Sequence, residues 1–213
     1  MRVALLPVKS LANAKGRLGA ALSAAEREAL TRAMLADMIE ALAAAACVDR
    51  TYVLSADADV LRAGVDLGAE PLVEGTVGGL NRAVADAAER LSARGVTRLL
   101  TIPGDVPLLE PADVDALFRV DATDFPVVLV PSGSGTGTNA LLLSPPTAMV
   151  PRFEGASLAA HVEACREQGL GFRVLALPTF ALDVDTPEDL AELAERGRHR
   201  RSGRVVAAKR SAA

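Results

Sequence analysis

Residues 50–73, RTYVLSADADVLRAGVDLGAEPLV, contain one complete strand–helix–strand unit. The run 50–55 predicts a strand, and the run 70–73 predicts a second, shorter strand. Between them, residues 57–68 predict a helix that ends at Gly68, because glycine readily adopts the left-handed conformation that follows a helix. Two strands joined by a crossover helix run parallel when they lie in one sheet. This stretch therefore indicates an α/β fold with a parallel sheet.

The same alternation of strands and helices continues on both sides of this unit. Ser23 and Glu26 form an S-x-x-E capping box, which predicts that the first long helix begins there. Two predicted strands between residues 125 and 144 follow each other without a helix, which indicates an antiparallel insert or edge in an otherwise parallel sheet. We therefore expect a three-layer α/β/α protein with a mostly parallel mixed sheet. Further strands are predicted at 3–8, 97–102, 125–131, 138–144, 172–178 and 180–185, and further helices at 23–46, 80–95, 110–118, 157–169 and 186–196.

Charge is distributed unevenly along the chain. Its 213 residues carry a formal net charge of −4, yet the segment 196–213 holds seven of the 23 lysines and arginines and no acidic residue. We predict one domain over residues 1–195 and a basic, flexible tail over residues 196–213, because chain ends are commonly frayed. The alternative is a tail that contacts nucleic acid or an anionic surface. One tyrosine and no tryptophan disfavour base stacking, so we expect no nucleic-acid partner.

Neither a signal peptide nor an apolar run of about 18 residues is recognisable in the sequence. We therefore expect a cytoplasmic protein that does not contact a membrane. The two cysteines, Cys47 and Cys165, belong to no C-x-x-C pair, so zinc and dithiol chemistry lack a motif. The sequence leaves a homodimer open.

The first candidate for a binding site is the loop after the first strand, since ligands of parallel sheets bind beyond the carboxyl ends of strands. This loop contains three cations, Lys9, Lys15 and Arg17, in a chain of net negative charge. Cations and backbone amides in a loop of small residues can bind phosphate oxygens. Neither the Walker A pattern nor G-x-G-x-x-G is present. The alternative interpretation is a solvated loop with incidental cations.

Three aspartates lie at the ends of later strands. Asp105 lies in the segment PGDVPLL, where two prolines and a glycine restrict the turn. Asp183 and Asp185 lie two residues apart at the end of the strand predicted at 180–185. One of them could face a ligand while the other caps the following helix, for which Thr186 is another cap candidate. Carboxylates held in this way suit a divalent cation or a ribose hydroxyl, while a purely turn-forming role is the alternative for Asp105.

A hydroxyl-rich loop follows the strand predicted at 125–131. Residues 131–138 contain three glycines among two serines and two threonines, and such a loop can wrap an anion or be merely flexible. The helix predicted to begin at Ser157 also offers free backbone N–H groups to an anion. His161, one turn into this helix, is interpreted as a structural polar residue, because no acid or nucleophile partner for it is evident nearby in the sequence.

Five motifs occur along the chain in the order PVKSLANAKGRL (7–18), GLNRA (79–83), PGDVPLL (103–109), GTGTNALLL (135–143) and DVDTPEDL (183–190). Together they resemble the CofC/FbiD family of guanylyltransferases, and the resemblance extends over residues 3–193. It implies the MobA-like nucleotidyltransferase fold of the GT-A type. It also implies transfer of GMP from GTP to a phosphorylated three-carbon acid, with release of pyrophosphate, in coenzyme F-420 biosynthesis. The acid would be 2-phospho-L-lactate, phosphoenolpyruvate or 3-phospho-D-glycerate, and the sequence leaves this choice open.

The resemblance also implies a role for each matching position. The GTP phosphates would contact Lys9, Lys15 and Arg17, the nucleoside would contact Asn81, and Mg²⁺ would be held by Asp105 and Asp185, with Asp183 the less favoured ligand. The acid would be bound by Thr138, Glu154 and Ser157. Glu154 stands where a small residue is expected, so only its backbone N–H is assigned this role. Two alternatives remain: a MobA-like nucleotidyltransferase for another phosphorylated acceptor, and a non-catalytic protein whose basic tail contacts nucleic acid.

Overall fold

The computed structural model describes residues 1–9, 16–75 and 78–210. Within these ranges, seven strands form one sheet: β1 (Arg2–Pro7), β2 (Arg50–Ser55), β3 (Glu70–Val73), β4 (Arg98–Thr101), β5 (Val127–Pro131), β6 (Thr138–Leu143) and β7 (Phe172–Val174). The α-helices in the same ranges are α1 (Ala24–Ala44), α2 (Ala58–Asp66), α3 (Gly79–Ser92), α4 (Pro111–Arg119), α5 (Ser157–Glu167), α6 (Pro187–Arg196) and α7 (Arg201–Arg210). Two short 3-10 helices lie at Gly16–Ala20 and Pro178–Phe180. The α/β fold predicted from the sequence is confirmed.

The sheet has the strand order β3-β2-β1-β4-β6-β5-β7. Parallel pairing joins β3 to β2, β2 to β1, β1 to β4 and β5 to β7. Only β6, among the strands described, is antiparallel to its neighbours, β4 on one side and β5 on the other. The antiparallel insert predicted between residues 125 and 144 is therefore confirmed, and it lies inside the sheet. As a consequence, the first residues of β6 lie at the edge of the sheet where the parallel strands end.

Helices cover both faces of the sheet, so the strands are nearly continuous apolar runs. In β1, Ala4 and Leu6 pack with α1, α2 and α4, while Val3 and Leu5 face the opposite way and pack with α3. On this second face, α5 covers β5 and β6. Each fully buried leucine or valine contributes on the order of 2 kcal/mol by burial. These three layers hold the ends of the strands rigidly, and the candidate site lies on those ends.

The segment 180–185 differs from the strand that the sequence predicts. After the short 3-10 helix, it continues as irregular chain. Phe180 is fully buried in the main core, and its carbonyl accepts a hydrogen bond from the side-chain amide of Asn139 rather than from a neighbouring strand. The Val184 N–H donates to the Asp105 carbonyl at 3.0 Å. The Asn139 side chain and the Asp105 turn thus pair with the Phe180 carbonyl and the Val184 N–H, which in a strand would bond to a neighbouring strand.

The basic segment also differs from its prediction, since residues 201–210 form α7 instead of a flexible tail. The carboxylate of Asp37, on α1, accepts hydrogen bonds from the Arg201 N–H and the Ser202 N–H, both at 2.9 Å, and from the Ser202 hydroxyl at 2.6 Å. Val206 is buried in a cluster with residues of α1 and α6. The partner that anchors α7 lies about 165 residues earlier in the chain, so the local sequence does not reveal it.

None of the helices in the described ranges is both long and apolar enough to span a bilayer.

Candidate active site

The candidate site lies at the carboxyl ends of the parallel strands, where β1, β4 and β5 end and the antiparallel β6 begins. This side of the sheet is called its carboxyl edge. The antiparallel direction of β6 places Thr138 beside Pro131, the last residue of β5, and places Leu141 beside Thr101, the last residue of β4. Asp105 follows β4 by four residues, in a turn. Residues from β4, β6 and the loops that follow β1 and β5 therefore meet at one edge.

A close approach of two loops places the Asp105 turn against the end of β1. A Cβ atom on Gly104 would lie 2.7 Å from the Val8 side chain and 3.2 Å from the Pro7 carbonyl. Only glycine allows this contact, because real Cβ atoms are not found at such distances. Lys9, the next residue after Val8, is exposed. The predicted cationic loop therefore begins beside the aspartate turn.

Of the three predicted cations, only Lys9 is described together with its side chain. Lys15 and the side chain of Arg17 lie outside the described residues, so their predicted roles remain predictions.

The segment that carries Asp183 and Asp185 runs alongside the Asp105 turn. The hydrogen bond from Val184 N–H to the Asp105 carbonyl ties the two segments together. The side-chain amide of Asn139, at the start of β6, donates to the Asp183 carboxylate at 3.3 Å. The backbones of Asp105 and Val184, about 80 residues apart in sequence, are therefore in direct contact, which places the Asp105 turn next to the segment 183–185.

Electrostatics link the three aspartates. Burial raises the pKa of Asp183 above its ordinary value, and the negative charges of Asp105 and Asp185 raise it further. The Asn139 amide acts in the opposite direction because its N–H stabilises the ionised form. Ionised carboxylates that repel one another are stabilised by a cation bound between them. Asp183, which the sequence analysis ranked below Asp185, thus belongs to the same carboxylate group.

Neither Asp183 nor Asp185 is the N-cap residue of α6. The N-cap is Thr186, whose hydroxyl accepts from the Asp189 N–H at 3.3 Å. The Asp189 carboxylate accepts in return from the N–H groups of Thr186 and Asp185, at 2.7 and 2.9 Å. The sequence analysis left open whether one of the two earlier aspartates caps this helix, and the structure assigns that role to Thr186 and Asp189.

The donor atoms at this edge are compatible with Mg²⁺. Carboxylate oxygens are the hard ligands that Mg²⁺ prefers, and it is usually bound by one or two carboxylates together with substrate phosphates. Among the residues that the structure describes, no three acidic, histidine or cysteine side chains form a closed metal site. A cation bound among these carboxylates would therefore need further ligands, such as oxygens of a substrate.

A second group of predicted residues surrounds the junction of β6 and α5. The Thr138 N–H donates to the Ser157 hydroxyl at 2.8 Å, and the Thr138 hydroxyl lies 3.0 Å from Nδ1 of His161. All three side chains are buried. Thr138 and Ser157 are 19 residues apart in sequence, and the fold brings them into direct contact.

The loop before α5 is held by two side chains. The Phe153 N–H donates to Oδ1 of Asn81 at 2.6 Å, and the Arg152 N–H donates to Nε2 of His161 at 2.8 Å. Asn81, predicted to contact the nucleoside, thus uses its carbonyl oxygen to position this loop. Glu154 is exposed, and its carboxylate lies against Gly79 at the start of α3.

Asn139 is the residue of this edge that the sequence analysis missed. It is 5% exposed and its amide donates to the carbonyls of Phe180 and Ala181, at 2.8 and 3.3 Å, besides Asp183. An amide next to Thr138 in an otherwise apolar strand was the available signal, since buried polar side chains need partners.

The fold of the chain is the one found in solved nucleotide-transferring enzymes. A structure from Desulfovibrio desulfuricans, titled as a nucleotide-diphospho-sugar transferase, matches with a TM-score of 0.84 at 19% identity and covers 99% of this chain and 96% of its own. A second structure, a CMP:2-keto-3-deoxy-manno-octonic acid synthetase with CTP, matches with a TM-score of 0.63 at 14% identity, over 93% of this chain and 98% of its own. At these identities the likeness establishes the fold.

Sequence similarity identifies the family within that class. The model of the family described as guanylyl transferase CofC like matches residues 1–207, and the chain belongs to this family. A relative from Conexibacter woesei, named phosphoenolpyruvate guanylyltransferase, is 44% identical over 94% of this chain and 90% of its own length. A relative from Methanothermobacter thermautotrophicus, named 2-phospho-L-lactate guanylyltransferase, is 41% identical over 89% and 82%. A third, from Phenylobacterium zucineum and named 3-phospho-D-glycerate guanylyltransferase, is 36% identical over 97% and 95%.

Proposed function

We propose that this protein transfers GMP from GTP to the phosphate of a phosphorylated three-carbon acid and releases pyrophosphate, as a step of coenzyme F-420 biosynthesis. The observation that carries the proposal is the meeting of Asp105 and the 183–185 segment, beside the Thr138–Ser157 pair, at one edge of the sheet. Phosphoenolpyruvate, 2-phospho-L-lactate and 3-phospho-D-glycerate are the candidate acceptors, because each is named for a relative that covers most of the chain. Cytoplasmic location belongs to the proposal as a further prediction.

Two groups of residues divide the work in this proposal. Asp105 and Asp185 would hold Mg²⁺, with Asp183 beside them, and the cation would neutralise charge on the phosphates of GTP when it is bound. Lys9, Lys15 and Arg17 would bind the same phosphates from the β1 side. Asn81 is assigned to the nucleoside. The acid would lie against Thr138, the backbone at Glu154, and Ser157.

The chemical step needs no general base. The acceptor phosphate is largely a dianion at pH 7, since its second pKa lies near 6. One of its oxygens forms a bond to the α-phosphorus of GTP, the bond between that phosphorus and the α–β bridging oxygen breaks, and the electron pair leaves with pyrophosphate. The side chains of this chain position the two anions and offset their repulsion. The burial of His161, with both ring nitrogens engaged, agrees with a reaction that uses no histidine base.

The alternative of a non-catalytic protein with a nucleic-acid-binding tail is less well supported. Part of the basic segment is committed to contacts within the chain, because Arg200 pairs with Glu110 and Lys209 pairs with Glu26. An acidic partner would have to compete with these pairs.

Pyrophosphate release tests the proposal directly. Purified protein would be incubated with GTP, Mg²⁺ and each of the three acids in turn, with ATP in place of GTP as the donor control and with EDTA as the metal control. We expect release with GTP and at least one acid, and none after EDTA. Failure with all three acids would contradict the proposed reaction.

The substitution Asp105→Asn removes one carboxylate charge while preserving side-chain shape. We expect turnover to fall by at least about 100-fold, the order found for groups that stabilise transition-state charge, with little change in the urea midpoint of unfolding. Thr31→Val, a substitution of a buried threonine on α1, is the matched control for folding. Near-normal turnover of the Asp105 variant would exclude its assignment as a metal ligand.

A further inference from the structure

His161 is buried in the middle of the predicted acid site, yet the proposed chemistry gives it no role. It is 0% exposed, and its ring packs edge-on against Phe153, with 5.3 Å between ring centroids and an interplanar angle of 79°. Its two ring nitrogens contact two different elements, the start of β6 and the loop before α5. A histidine in such a position has no direct contact with solvent, but it can orient its partners.

The hydrogen bonds of His161 define its tautomer. The Arg152 backbone N–H is a donor only, so Nε2 must accept through its lone pair. The neutral ring therefore carries its proton on Nδ1, which lies 3.0 Å from the Thr138 hydroxyl oxygen. Since Nδ1–H is a donor, this oxygen must accept. The hydroxyl hydrogen of Thr138 is then directed away from the ring.

The neighbouring serine is oriented in the same way. The Ser157 hydroxyl oxygen accepts from the Thr138 N–H at 2.8 Å, so its own hydrogen remains available for another acceptor. Two hydroxyl donors, one at the start of β6 and one at the start of α5, are thus held side by side. A phosphate or carboxylate group is an acceptor that matches two such donors.

His161 also positions the loop that borders this pair. Consecutive N–H groups, of Arg152 and Phe153, donate to His161 and to Asn81. The imidazole therefore holds this loop at Arg152, next to the proposed acid site. Asn81, which holds the loop at Phe153, is the residue assigned to the nucleoside.

Burial keeps this ring neutral near pH 7. Loss of solvation lowers the pKa of His161 to about 4, a backbone hydrogen bond to Ser157 opposes the shift, and the charge of Arg152 adds to it. Arg152 itself is exposed and lies 3.4 Å from the Glu167 carboxylate. A protonated ring would place a second N–H against the Arg152 N–H, so the neutral form is the one compatible with the loop.

We propose that His161 is a positioning residue for the acceptor acid, because its imidazole fixes the direction of the Thr138 hydroxyl and the path of the loop at Arg152. The inference rests on the proposed guanylyltransferase reaction. It deepens that proposal by assigning acceptor binding, and not GTP binding, to this buried histidine.

Steady-state kinetics of His161→Leu and His161→Asn test the inference. Leucine fills the space without hydrogen bonds, whereas the asparagine amide places an N–H near the position of Nδ1. For His161→Leu we expect kcat/KM for the acid to fall at least tenfold while KM for GTP stays within twofold. His161→Asn should recover most of the loss. Equal values of kcat/KM for the acid in wild type and His161→Leu would overturn the inference.

A double-mutant cycle separates positioning from a structural effect. If His161 acts through Thr138, His161→Leu should reduce kcat/KM for the acid much less in a Thr138→Val background than in wild type. Fully additive losses would contradict that route. Ser202→Ala, at a fully buried serine on α7, is the matched control and should lower stability without changing KM for the acid.

Nitrogen NMR of the wild-type imidazole decides the question if the leucine variant does not fold. The inference requires a proton on Nδ1, and a shift of the Nδ1 resonance on addition of acid with GTP already bound. A proton on Nε2, or no shift at saturating acid, would overturn it. Inactivity of wild type with all three acids would contradict the proposed reaction instead, since the tautomer is measured without turnover.

Discussion

Asn139 shows how one side chain can determine the geometry of this site. Its amide donates to two carbonyls and to the Asp183 carboxylate, and these acceptors lie between the last residue of the second 3-10 helix, Phe180, and Asp183. Without those bonds the carbonyl of the buried Phe180 would lose its amide donor, which costs about 1–3 kcal/mol, whereas the Ala181 carbonyl would keep its bond from the Gly133 N–H. The residue therefore supports both the fold and the position of an aspartate.

The substitution Asn139→Leu removes these bonds while keeping a similar volume. We expect the free energy of unfolding to fall by about 1–3 kcal/mol and the Mg²⁺ concentration for half-maximal activity to rise several-fold, because Asp183 loses its donor. Urea unfolding and a Mg²⁺ titration of pyrophosphate release measure the two effects. The control Thr31→Val should change the free energy of unfolding but not the Mg²⁺ dependence of activity. A variant with unchanged Mg²⁺ dependence would show that the amide does not orient the carboxylate group.

Among the elements, α7 shows how a basic segment can form a helix that packs against the rest of the domain. Its first turn is capped by Asp37 of α1, and Gly203 packs so closely on Gly197 that a Cβ there would lie 2.0 Å from the Gly197 carbonyl. Hydrogen bonds to a charged acceptor contribute about 1.5–3 kcal/mol each. The basic composition of the segment does not predict this docking, because Arg201 and Arg204 are exposed and the anchor of α7 lies in another helix.

The substitution Asp37→Ala tests this docking. We expect the protein to lose about 3 kcal/mol of unfolding free energy and amide hydrogens of residues 201–210 to exchange much faster, while KM for GTP is unchanged. Calorimetry and hydrogen exchange provide the readouts, and Asp37→Asn, which retains one acceptor oxygen, should lie between. Unchanged exchange in α7 would mean that its apolar contacts alone hold it in place.

At the scale of the whole molecule, burial of a neutral histidine makes stability depend on pH. The folded-state pKa of His161 is about 4, below its ordinary value of 6.5. The unfolded chain therefore binds more protons between these values, and stability rises with pH across this window. The contribution is fully present above pH 6.5 and is lost as the pH falls toward 4.

This linkage predicts a difference between wild type and His161→Leu. The free energy of unfolding of wild type should fall by about 3 kcal/mol more than that of the variant between pH 7 and pH 4, since each pKa unit corresponds to about 1.4 kcal/mol. Urea unfolding at several pH values measures this difference. Parallel curves for the two proteins would mean that the buried ring does not carry the lowered pKa.

Particular residues show which elements could be predicted from the sequence and which could not. The strands 50–55 and 70–73 and the cap at Ser23 were predicted with the bounds that the structure has, because apolar pattern and capping chemistry are local. The predicted strand 180–185 was wrong because Asn139, some forty residues earlier, takes the carbonyl of Phe180. The flexible tail differed for the same reason, since Asp37 was not visible as the cap of α7.

By itself, the sequence determined the alternation of strands and helices, the presence of aspartates, cations and hydroxyls beyond strand ends, and membership of a guanylyltransferase family. Only the tertiary structure decided that β6 runs antiparallel inside the sheet, that Asn139 meets Asp183, and that Thr138, Ser157 and His161 form one hydrogen-bonded group. The physical reason is that periodicity and capping depend on neighbours within a few residues. Hydrogen bonds between distant segments depend on which strands pair and in which direction, and no local pattern specifies that.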